Sequence, residues 1–290
     1  PAAETITWLG AKKTVWQTGK AGWMNATTGH DAVFETGADV IFTQSGTVTI
    51  AGAVEPGSVI VAGDKNITFK SDKKNPGRIV GDTTLTKRGK GKLTLNDGNF
   101  YSGGTVIEAC TVVAGGASAF GRGDITISGG SLDLKSKAVT NDITLSGAAT
   151  IKSGKKYGGG LTLEGDLLKG SVLNVAEKAE LKSGTVNGTL SGIGTVAVTG
   201  DVTLDTKGKI TTNALDVSGT LHVSSKGLSM NSKASAITVE DGAVLVSAGA
   251  LKAYSMEVNG GEVLFNTAKA TSVTLGNNLV LRNGASMNLS

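Results

Sequence analysis

Along nearly the whole chain, apolar residues alternate with polar ones in short runs, and turns bearing Gly, Asn or Asp separate the runs. The stretch "LTKRGKGKLTLNDGNFYSGGTVIEACTVVAG", residues 85–115, is typical: Thr, Leu and Val runs broken by glycines, with no sustained helical period. Alternation over a few residues marks a half-buried strand. The same text then recurs. "DITISGGSLDL" from Asp124, "DITLSGAATIK" from Asp142 and "GLTLEGDLLKG" from Gly160 are variants of one strand-turn-strand unit. "ALDVSGTLHVS" from Ala214, "AITVEDGAVLVS" from Ala236 and "SMEVNGGEVLFN" from Ser255 continue it. The strands opening at Ile125, Ile143 and Leu161 are 18 residues apart, and those at Ile237, Met256 and Val273 follow at intervals of 19 and 17. Residues 172–202 keep the rhythm but blur the register.

A period near this length, made of two or three short strands, is one coil of a β-solenoid. Sandwiches and barrels also contain many short strands, but they rarely repeat one unit so steadily. A single coil cannot bury its own apolar side chains. Stacked coils can, because each backbone pairs with the coils on either side at about 4.8 Å. The expectation is therefore an all-β chain, a parallel β-helix of about 12–13 coils, with Ile, Val and Leu inside and Thr, Lys, Ser and Asp outside.

The first coil of such a stack needs a cover. Trp8, Trp16 and Trp23, all the tryptophans of the chain, lie near its start. They predict a Trp-containing cap over residues 1–46, followed by β-helix over residues 47–290. The competing reading of the three rings is an aromatic platform for carbohydrate.

Composition supports strands and turns. Gly is 43 of 290 residues, Pro only 3 and aromatics 4%. With 39% apolar residues in regular alternation the chain is not disordered. Cys110 is the single cysteine, which excludes an intrachain disulfide and a cysteine-based metal site. The apolar runs fall far short of the ~20 residues that a membrane-spanning helix needs. The start at Pro1-Ala2-Ala3, without Met, reads as a chain whose export signal has been removed. The net charge of +4 is uneven: residues 64–92 carry nine basic and three acidic side chains, a local +6.

Few residues carry catalytic chemistry. His30 and His222 are far apart in the chain and read as isolated turn or face residues. Glu240 and Asp241 are adjacent, so on a strand they would face opposite ways. No catalytic residue, cofactor or metal ligand is assigned. Asp124, Asp142 and Glu164 recur near the coil period and could align as the carboxylates of a polysaccharide lyase or hydrolase; solvated turn acids are the simpler reading. "GRGD" at residues 121–124 contains Arg-Gly-Asp but abuts a strand, so chance accounts for it. The basic segment is the candidate ligand site: Lys87, Arg88, Lys90 and Lys92 would attract sulfated or sialylated glycans, or lipopolysaccharide. The alternative is a solvated face whose lysines protect strand edges. Aromatics for stacking bases are too few there for nucleic acid.

Leu85, Lys87, Gly89, Gly91, Leu93, Leu95, Asn99, Tyr101, Gly103, Gly104, Thr105, Ile107 and Gly115 fall without a gap on a known motif. In this stretch the chain resembles the passenger-associated transport repeat, also called the autotransporter-associated β-strand repeat. The preceding Trp-rich segment also resembles the sequence that often comes before that repeat. Cys110 departs from the motif, which usually has Gly at that place. The resemblance implies the passenger region of a Gram-negative autotransporter, folded as a right-handed parallel β-helix and exported through the outer membrane. It also implies a C-terminal membrane barrel beyond residue 290, and it transfers no catalytic residues. The functional expectation is a monomeric, non-enzymatic stalk or adhesin contacting host or matrix glycans or surface receptors. The alternatives are a carbohydrate-active enzyme on the same scaffold and a ligand-free spacer.

Overall fold

A computed structural model describes residues 3–10, 15–231, 233–266 and 271–289. Residues 11–14, within the expected cap, lie outside the described residues. Every regular element among the described residues is a strand. The chain forms a parallel β-solenoid, divided into two compact units, Pro1–Ile143 and Thr144–Ser290.

In the first unit Asp39–Phe42, Ser58–Val61, Thr84–Lys87, Thr105–Ile107 and Ile125–Ile127 stack in parallel register. Val40, Val59, Leu85, Thr105 and Ile125 form one inward column, and all are buried. A second ladder joins Gly46–Ile50, Ile67–Ser71, Leu93–Leu95, Thr111–Ala114 and Ser131–Asp133. The two-residue period of a strand sends every second side chain to the core, and each fully buried Val, Leu or Ile contributes about 1.5–3 kcal/mol.

The start of the chain departs from this parallel pattern. Thr5–Trp8 pairs antiparallel with Ala21–Asn25, placing Trp8 opposite Trp23, and Ala21–Asn25 pairs antiparallel with Asp31–Val33. On its other edge Thr5–Trp8 pairs parallel with Asp39–Phe42, so the doubled-back chain covers what would be an open strand edge. Trp8, Trp16 and Trp23 are buried; Trp16 packs on Trp23, Phe34, Phe42 and Phe69 with ring centroids 5.3–5.8 Å apart. Buried rings leave no aromatic platform for a sugar, and the packing reading of the tryptophans holds.

The second unit has three ladders. Two run through Leu215, Ile237 and Met256 and through Leu221, Leu245 and Val263, all buried. The stretch whose register was blurred in the sequence contains two long strands, Lys178–Val186 and Thr195–Leu204. Their pairing shifts between Leu181 and Ser183, which breaks the even spacing of apolar positions. The third ladder comes in two pieces. Val172–Asn174, Thr189–Ser191 and Lys209–Thr211 belong to the large sheet, whereas Leu228–Ser229, Leu251–Ala253 and Val273–Leu275 form a separate sheet.

Candidate functional site

The candidate basic residues lie around the corner that joins Thr84–Lys87 to Leu93–Leu95. Glycine makes the tight stacking of this corner possible: a Cβ on Gly91 would lie 1.9 Å from the carbonyl oxygen of Lys65 in the neighbouring coil. The main-chain N–H groups of Lys90 and Lys92 donate to Asp64 Oδ1 at 3.4 Å and to Asn66 Oδ1 at 2.9 Å.

The four side chains have different fates. Lys87 does not belong to a surface patch. Leu85 points inward, so Lys87, two residues on, points inward too, and it is 0% exposed. Its ammonium donates to the carbonyl oxygens of Arg88 and Gly89, the latter at 3.0 Å. Desolvation pushes its pKa below the usual lysine range, against the opposing influence of Cys110 and Asp64. Arg88 is exposed, but its guanidinium is matched by Glu108 of the next coil at 2.7 and 3.3 Å. Lys90 and Lys92 are exposed, as is Lys65 one coil away, which the sequence did not single out for this site. Knowing which residue of one coil lies over which residue of the next is what finds Lys65. The corner therefore presents Lys65, Lys90 and Lys92 with a locally neutralised Arg88, beside Asp64.

The remaining basic residues of the segment lie elsewhere in the coil. Lys70 is exposed on the strand Ile67–Ser71, and Lys73, Lys74 and Arg78 are exposed at the next corner. There Asp72 Oδ1 accepts from the N–H groups of Lys74 and Asn75, each at 2.8 Å, and these bonds hold the Asp72 carboxyl below its usual pKa. Cys110 stacks over the candidate corner and donates from Sγ to Lys90 O at 2.8 Å. Its φ of 57° lies in the left-handed region, which explains the glycine usual at this place.

The other sequence candidates separate as follows. Asp124 and Asp142 share a column, since Thr105 donates to Asp124 O and Ile125 to Asp142 O, each at 2.9 Å; both carboxylates are exposed. Glu164 belongs to the second unit, where it pairs with Lys182 at 3.1 Å. Arg122 of the Arg-Gly-Asp tripeptide stacks 3.4 Å over the ring of Phe100 and is thereby engaged in the turn. His30 lies in an exposed turn of the first unit, and His222 of the second unit sits 3.2 Å from Asp201. Glu240 accepts from Asn259 Nδ2 at 3.5 Å. Among the described residues no group of three or more His, Cys, Asp and Glu could hold a metal ion.

Residues 85–114 match the passenger-associated transport repeat family. Over 112 residues, 32% of the chain, the sequence is 37% identical to a protein named "Adhesin BmaC autotransporter" from Brucella suis biovar 1 (strain 1330). The chain spans only about 3% of that protein's length. No solved structure matches.

Proposed function

We infer that this stretch of autotransporter passenger, exported through the outer membrane to the cell surface, serves as a non-enzymatic β-solenoid stalk and adhesin. One observation carries the reading: the passenger repeat at residues 85–114 occupies consecutive coils that pair in register with their neighbours. Its chemistry is one of display. A stack of coils buries a continuous core and leaves its outer faces free to vary, so it can hold weakly binding side chains at fixed spacing. The membrane barrel of the same protein is the partner that export requires.

The candidate contact surface is the corner carrying Lys65, Lys90 and Lys92 with Arg88. It suits anionic glycans, because its ammonium groups are exposed and the stacked backbone beneath them is held by glycine contacts. Exposed charges of this kind attract their ligand by screened Coulomb forces, so binding there should weaken as salt rises.

The test is binding of the chain to mucin and sulfated glycans at low and high salt, beside a Lys65→Ser/Lys90→Ser/Lys92→Ser variant. Lys87 is left intact because it is part of the core. Salt-sensitive binding lost in the variant supports an adhesive corner. Equal binding by both proteins removes the corner from the reading and moves the adhesive surface elsewhere on the chain; binding by neither leaves a spacer.

A further inference from the structure

The third ladder of the second unit breaks at one place, and the sequence explains why. Lys209–Thr211 pairs with Thr189–Ser191, and Leu228–Ser229 pairs with Leu251–Ala253, but the two strands belong to different sheets. Each follows a Lys-Gly turn, Lys207-Gly208 in one coil and Lys226-Gly227 in the next. The inward residue is the second after Gly208 but the first after Gly227: Ile210 and Leu228 are buried, while Lys209 and Ser229 are exposed. Equal turns would set Ile210 beside Ser229 with their side chains on opposite faces, so a continuous ladder cannot form. The following coil shortens its turn to residues 248–250, and there Leu251 pairs with Leu228.

The break opens a cleft of about 400 Å³. Ile210 and Leu228 stand at its floor with their side chains turned into the core; Lys209 and Lys226, both exposed, are its cations. Thr211 and Ser229 add hydroxyls. Among the described residues neither lysine has a carboxylate within salt-bridge distance. The main chain contributes as well. Lys209 donates to Gly188 O, and Leu228 donates to Ala250 O. Successive residues of a parallel strand present their polar groups to opposite sides, so Ile210 and Ser229 turn their N–H and C=O toward the break.

We propose that this cleft is a binding site for an acidic sugar, one bearing a carboxylate or a sulfate. The hydroxyls and the main-chain groups of Ile210 and Ser229 pair with sugar hydroxyls, and the two ammonium groups meet the acid. The volume lies within the range of small-ligand sites. Addition of a peptide strand is disfavoured, because each strand offers about one residue of free edge, too little for a ladder. The site goes beyond the corner of Lys65, Lys90 and Lys92 and does not depend on it.

The experiment titrates the whole chain with a tetragalacturonate, a sulfated tetrasaccharide, a neutral glucose tetramer and a tetraglutamate peptide. It compares Lys209→Ser/Lys226→Ser, the neighbouring control Lys207→Ser, and Ser229→Trp, which fills the cleft without removing a charge. Binding of either acidic sugar, weakened about tenfold in the double variant and in Ser229→Trp but unchanged in Lys207→Ser, supports the site. Which acid binds identifies the source. Failure of both acidic sugars to bind overturns it, as does equal binding by the double variant or equal affinity for tetraglutamate. Loss confined to the Lys65→Ser/Lys90→Ser/Lys92→Ser variant assigns binding to the corner and overturns the cleft.

Discussion

The ammonium of Lys87 donates a hydrogen bond to the carbonyl oxygen of Gly89 at 3.0 Å, inside the solenoid wall. It fastens the corner from within, so its removal should cost stability and not merely charge. Lys87→Met fills similar space but leaves the carbonyls of Arg88 and Gly89 without this donor. The expected loss is about 1–3 kcal/mol, read from urea unfolding at neutral pH. The pH dependence has a definite sign. The folded-state pKa lies below the ordinary 10.5, so over the window just below 10.5 the unfolded chain holds more protons at this site. Stability from this group therefore rises as pH climbs through that window. Subtracting the Lys87→Met profile from the wild-type one isolates the rise; a flat difference would contradict the buried placement.

Cys110 occupies left-handed backbone at φ 57° while its thiol reaches Lys90 O. The strain of a side chain there is about 1 kcal/mol or more, and a thiol is a weak donor. Cys110→Gly should therefore leave the protein as stable as before or raise its stability by up to about 1 kcal/mol. Cys110→Val, branched at Cβ, should lower the thermal midpoint. A midpoint lowered by glycine would mean that the sulfur contact outweighs the strain.

The coil period and the inward columns of Leu85, Ile125, Ile237 and Met256 are legible in the sequence, because a two-residue alternation has one physical meaning when it repeats. The direction of Lys87 is legible too: Leu85 points inward, so Lys87 must, although its charge suggests the surface. What the sequence does not disclose is which residues meet across coils. Arg88 meets Glu108 twenty positions away, and Lys65 underlies Gly91 twenty-six away, intervals set by coils of unequal length. The break between Ile210 and Leu228 hides for the same reason: each strand alternates correctly by itself, and only their mutual register conflicts.

Trp16 is the hub of the aromatic cluster in the first unit. Trp16→Ala should cost about 3–5 kcal/mol. Solenoid coils depend chiefly on their neighbours, so the loss should be local. Hydrogen exchange is expected to accelerate in Asp39–Phe42 and Gly46–Ile50 well before Ile125–Ile127. Uniform acceleration across these strands would mean that the first unit opens as one body.

Asn99 ties together neighbouring coils. Its Oδ1 accepts from Ile79 N–H at 3.0 Å, and its Nδ2 donates to Asn96 O at 3.0 Å and Ala119 O at 2.9 Å. All of this is buried. Asn99→Ala should destabilise by about 2–4 kcal/mol, since several buried main-chain groups lose partners together. Asn99→Asp keeps an acceptor but buries a charge beside two carbonyls. Its carboxyl should have a raised pKa, so the deficit relative to wild type should shrink as pH falls toward 4. A deficit that grows on acidification would mean that the carboxylate has found water or a cation.

Glu108 neutralises the guanidinium of Arg88 at an exposed site. A pair of this kind contributes at most about 1 kcal/mol, so Glu108→Gln should hardly change unfolding. It should change recognition instead. With Glu108 uncharged, the corner of Lys65, Arg88, Lys90 and Lys92 gains one unit of positive charge, and Arg88 is free to meet a sulfate. If anionic glycans bind there, their affinity should rise severalfold at low salt, and the gain should fade as salt screens the corner. Surface-immobilised sulfated glycan measured at two ionic strengths checks this. An affinity that stays the same in Glu108→Gln, while wild type binds, would place the glycan away from Arg88.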